Sequence, residues 1–171
     1  KMANKFSYQI IKDTTERTVI KLTGFFDGVS GQESNVSRIQ ANTLYGALDA
    51  NSVPLYSALS VSNTALPYYG LSVFKLWYDC VNNVEGAVEM FWKADTDTPI
   101  AYMSGTYEYD SASNWITIPN NAKGTSGCNG DIGIRTYGMQ ANSSYTIILE
   151  VRKDNAHYQR CLLYTSDAAD D

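Results

Sequence analysis

The chain carries one histidine, His157, so any Ser-His-Asp or Cys-His catalytic arrangement would have to be built around it. His157 follows the last patterned run, in the polar stretch Asp154-Asn155-Ala156-His157, and reads as an exposed surface residue. Zinc needs a cluster of Cys and His, and Cys80, Cys128 and His157 show no ligand spacing. Cys80 ends an apolar run and Cys128 falls in a Gly/Ser loop. A disulfide would tie strand end to loop, whereas two free thiols suit a chain made in a reducing cytosol. Asp95-Thr96-Asp97 could offer carboxylates to calcium, but it lacks the Gly and distal Glu of an EF-hand loop and reads as a solvated hairpin turn. HExxH, P-loop and GxGxxG patterns do not occur. Glu33, Asp49, Glu85, Glu89, Glu108, Asp110 and Asp131 are scattered acids. A glycosidase needs two carboxyls facing each other at about 5 to 9.5 Å, and spacing singles out no such pair. No catalytic residue, cofactor or metal is expected, and the chain is read as a non-enzyme.

The aromatic residues invite a different chemistry, the stacking of sugar rings. Trp77 and Trp92 sit inside apolar runs and are expected to fill the core, where each would bury a large apolar area. Trp115, beside Asn114 at the start of an alternating run, is left open between core filling and contact with a sugar or partner. It is the one contact residue that this reading singles out.

Composition narrows the partners. Apolar residues make up 44% of the 171 and charged residues 18%, the balance of a chain that buries a core. The 13 tyrosines favour strands, half-buried surfaces and interfaces. A net charge of -5 without any basic run is the wrong sign for gripping phosphates, so no nucleic-acid partner is expected. No stretch approaches the roughly 20 apolar residues of a membrane helix, and no signal-peptide core follows Lys1-Met2-Ala3-Asn4-Lys5. The tail Cys161-Leu162-Leu163-Tyr164-Thr165-Ser166-Asp167-Ala168-Ala169-Asp170-Asp171 has no periodicity. It back-translates into a transposase adapter of short-read libraries. Residues 161–171 are therefore expected to be translated adapter, the source to be assembled environmental DNA, and residues 2–160 to form one domain.

The elements that would position these groups are short strands. Phe6, Tyr8 and Ile10 alternate with polar residues, and Thr18 to Thr23 is β-branched and alternating. Gly24 to Gly31 reads as a break after that strand. Val36 to Ile39 is a further strand, Thr43 to Ala50 fits a helical turn or a strand, and Asn51 to Pro67 reads as a long surface loop. Leu71 to Asp79 is apolar on both faces, with Phe74, Leu76 and Tyr78 set against Leu71, Val73 and Trp77, as in a central strand. Ala87 to Lys93 is expected as its hairpin partner. Short strands follow at Ile100 to Met103, Thr106 to Tyr109, Trp115 to Ile118, Ile132 to Thr136 and Tyr145 to Arg152. This predicts an all-β fold, an antiparallel β-sandwich of about 8–10 short strands with a jelly-roll-like order.

Several segments taken together carry a resemblance. They are Thr18-Val19-Ile20-Lys21-Leu22-Thr23-Gly24, Asp27-Gly28, Gly31-Gln32-Glu33, Lys75-Leu76-Trp77-Tyr78-Asp79, Glu89-Met90-Phe91-Trp92, Gly130-Asp131-Ile132-Gly133-Ile134 and the run from Asn142 to Lys153. Their order resembles a family of small virion-associated proteins of tailed phages, notably marine phages of cyanobacteria, over roughly residues 4–160. The resemblance implies a β-rich head-decoration, neck or tail component, made in the host cytoplasm and located in the virion, with other virion proteins and repeated copies of itself as partners. It carries over no binding residues. The alternative is a carbohydrate-binding β-sandwich module used in host attachment.

Overall fold

In the computed structural model, residues 3–56, 64–81, 86–114 and 116–160 are described; Trp115, Glu85 and the tail 161–171 lie outside the described residues. The alternation read at Thr18 to Thr23 and Tyr145 to Arg152 becomes β2 (Arg17–Phe25) and β9 (Ser144–Lys153), whose every second residue is buried. Around them stand β1 (Lys5–Asp13), β3 (Ser34–Ile39), β4 (Leu71–Val81), β5 (Ala87–Trp92), β6 (Thr98–Met103), β7 (Gly105–Asp110) and β8 (Ile132–Tyr137). Among the described residues the one α-helical segment is a single turn, α1 (Ser111–Asn114).

The strands form two antiparallel sheets, ordered β1-β2-β9-β4-β7 and β3-β8-β5-β6. The pairings are nested: β5 pairs β6, β4 pairs β7, β3 pairs β8 and β2 pairs β9. One long antiparallel ribbon is thus wrapped so that β9 also meets β4 and β8 also meets β5. The chain is an all-β sandwich, as the patterning predicts. Its core joins Ile20, Leu22, Leu149 and Val151 of one sheet with Met90, Trp92, Ile132 and Ile134 of the other. Burial of these side chains, at roughly 1.5–3 kcal/mol each, is what presses the layers together.

Five local expectations are corrected. Ala87 to Lys93 is not the hairpin partner of β4: β5 lies in the opposite sheet, between β8 and β6. Trp92 is fully buried, but Trp77 is only half-buried and stands outside the core cluster. A bulge between Val73 and Lys75 inverts the side-chain parity of β4, so Leu71, Val73, Leu76 and Cys80 face the core. Phe74 is left outside that cluster, with the guanidinium groups of Arg17 and Arg152 over its ring at 4.5 and 4.1 Å from the centre. Gly24 does not break β2; it pairs with Tyr145 inside the ladder. No strand forms at 116–118, where a single bridge joins Ile118 to Val73. The segment Thr43 to Ala50, open between helix and strand, is neither: a 3-10 turn at Ala41–Thr43 leads into single bridges from Ala47, Leu48 and Asp49.

Candidate interaction surfaces

The groups that could do chemistry are mostly spent on holding loops. His157 is not exposed but half-buried, its Nδ1 2.7 Å from Asp154 and its ring edge-on to Tyr68 at 5.2 Å. The Asp154 carboxylate reaches back to it because it also accepts the His157 N–H at 3.0 Å, closing a local turn. The pair orients an imidazole. Ser52 lines the same cleft, yet among the described residues no hydrogen bond joins it to His157 and no nucleophile–base pair is assembled.

The scattered acids are likewise anchors. Asp49 accepts N–H groups of Asn51 and Val53 at 2.8 and 3.0 Å, and Asp131 accepts that of Ala41 at 2.8 Å. Asp97 binds Arg135 at 2.6 Å, while Asp95 binds the Ser126 hydroxyl, so the two carboxylates of Asp95-Thr96-Asp97 turn to different partners. Among the described residues no three His, Cys, Asp or Glu side chains converge as metal ligands would. Cys80 and Cys128 are both free thiols, and burial pushes the Cys80 thiol up to about 12, with nearby Asp79 adding to the rise.

Glu33 is buried between the sheets and accepts a hydrogen bond from Tyr145 of β9. Arg38 Nε stands 3.5 Å from its other oxygen without hydrogen-bond geometry. Desolvation dominates and holds the Glu33 carboxyl above the usual carboxylate range, against the opposing pull of Tyr145 and Arg38.

No protein-family model, curated protein or solved structure matches this chain. Its surfaces therefore have to speak for its function.

The most unusual surface is β1. Phe6, Tyr8 and Ile10 pair with Gly24, Leu22 and Ile20, and so lie on the core-facing side of the sheet. They are nevertheless 38%, 39% and 42% exposed. Among the described residues the second sheet has one strand fewer; the Arg38 side chain of β3 donates to Ser7 O at 2.8 Å and stands 5.9 Å from the Phe6 ring, which also meets buried Phe26 edge-on at 5.5 Å. Among the described strands β1 is also an edge strand. Alternation at Phe6, Tyr8 and Ile10 was legible in the sequence; that they stay this exposed was not.

A second surface lies on the four-stranded sheet. Arg135 binds Glu89 at 3.2 Å and Asp97 at 2.6 Å and caps the Phe91 ring at 4.4 Å. The Tyr137 hydroxyl donates to Glu89 at 2.6 Å, and exposed Tyr102 pairs across from Glu89. Trp115, the contact residue singled out from sequence, lies outside the described residues.

Proposed function

We propose that this chain is a non-enzymatic structural component of a tailed-phage virion, present as repeated copies on a symmetric particle. The observation that carries the reading is the exposed apolar row on β1, an edge strand of the described sheet. Such an edge is a template for pairing with a neighbouring chain, and a folded block that leaves one open suits an assembly. Repetition on a particle turns weak single contacts into avidity.

The wrapped ribbon agrees with this. Nested pairing from β2·β9 to β5·β6 supports a jelly-roll-like order, an architecture used by capsid domains and also by lectins. The segment order that resembles virion-associated proteins of tailed phages supports the same role. Sequencing the genes that flank this one tests it. Capsid, portal or tail genes alongside are the expected result, and metabolic neighbours would count against a virion role.

A further inference from the structure

A cleft of about 630 Å³ opens beside the β1–β2 turn, lined by Tyr45, Tyr56, Pro54, Asp13, Thr43 and Gln159 among others. We infer that this cleft is a carbohydrate site that takes one neutral hexose ring against its tyrosines, Tyr45 and Tyr56. It deepens the carbohydrate-binding alternative rather than the virion role, and each can fail without the other.

The argument starts from exposure. Tyr45 is 60% and Tyr56 69% exposed, although both are large and apolar-faced. Both rings line the cleft and keep most of their surface accessible. Sugar rings present C–H faces that pack on aromatic rings while their hydroxyls seek polar groups at the rim. Asp13, Thr43 and Gln159 supply those groups here.

The cleft is also held ready. The Asp13 carboxylate accepts the Tyr45 N–H at 2.8 Å, and the Lys153 ammonium donates to Tyr45 O at 2.7 Å. Lys153 has a fully buried side chain, pairs with Asp13 and donates to Thr14 O at 2.6 Å. Gly46, at φ +79, turns the chain after Tyr45, and its carbonyl accepts the Gln159 N–H at 2.7 Å. On the far wall, Leu55 N–H bonds Ala47 O at 2.7 Å and fixes the strand of chain that bears Tyr56. A backbone so pinned spends little entropy when a ligand arrives.

Charge selects the ligand class. Two tyrosines beside an acid could hold an organic cation, but Lys153 already neutralises Asp13. Phosphate-bearing ligands meet a chain of net charge -5. A neutral sugar meets neither obstacle.

The test is a printed array of bacterial surface polysaccharides and their constituent oligosaccharides, probed with the full chain, followed by titration of the hits. The expected result is binding of at least one neutral hexose-containing glycan, weakened about tenfold by Tyr45→Ala and by Tyr56→Ala but unchanged by Tyr107→Ala on exposed β7, at the opposite edge of the sheet from β1. Thermal melts of each variant check folding. No bound glycan, binding indifferent to both cleft substitutions, or competition by choline but not by neutral sugars would overturn the site. None of these results bears on the flanking genes that test the virion reading.

Discussion

Gly24 and Tyr145 are cross-strand partners, and the tyrosine ring occupies the space above the glycine: a Cβ on Gly24 would lie 2.2 Å from Tyr145 Cε1. The ring is buried there with its hydroxyl on Glu33. Glycine is used for room, since the backbone at this position sits within an ordinary ladder. Gly24→Ala is expected to cost about 1–3 kcal/mol, the usual penalty of overpacking. Chemical denaturation reads it as a lowered midpoint with an unchanged slope. A variant as stable as the parent would show that the ring moves aside freely.

Glu33 predicts a pH dependence. Burial raises its carboxyl in the folded state, so between the unfolded value near 4.5 and the higher folded one the native chain holds more proton than the unfolded chain. The Glu33 contribution is complete below that window and declines as pH rises through it. Glu33→Gln is expected to flatten the decline in stability over that range. Parallel stability curves for parent and variant would sink the assignment.

Lys153 is expected to be among the most sensitive polar positions. Lys153→Met leaves Asp13 without its counter-ion and strips donors from Thr14 O and Tyr45 O. Removing one member of a buried pair costs about 3–5 kcal/mol, far more than a surface bridge. Equilibrium unfolding in denaturant measures it, and a loss below roughly 1 kcal/mol would place the pair in the surface class.

The β1 edge predicts self-association. Phe6, Tyr8 and Ile10 offer a partner a ready apolar row. Concentration-dependent association is expected by sedimentation, and Ile10→Lys, which puts a charge in that row, is expected to abolish it without lowering thermal stability by more than a few degrees. A parent that stays monomeric at millimolar concentration would remove the edge from the argument for assembly.

The two described thiols are expected to differ in reactivity. Cys80 is buried with its thiol pushed up to about 12, while Cys128 is half-exposed. Alkylation at pH 8 followed by peptide mapping is expected to mark Cys128 in the native chain and Cys80 only after unfolding. Equal labelling rates would contradict the burial.

The sandwich itself was legible because local sterics write it into the chain. Thr18, Ile20 and Leu22, like Tyr145, Ile147, Leu149 and Val151, alternate because successive strand residues point to opposite faces, and their burial follows that alternation. The same rule misplaced Trp77, since one bulged residue after Val73 reverses every face beyond it and leaves no local mark. It assigned β5 to the wrong partner because alternation says which residues are buried, not which sheet buries them. Gly24 looked like a chain break, since a glycine that makes room for a ring and one that makes a turn are the same letter.

What the sequence determined alone was the layered β architecture and the absence of familiar catalytic spacing. Only the tertiary structure decided that Phe6, Tyr8 and Ile10 stay partly exposed, and that Asp13 and Lys153, 140 positions apart, meet to hold Tyr45 at a cleft mouth. Those outcomes depend on which distant strands pair and which strand lacks an opposite number, and such pairings are settled by the packing of the whole chain.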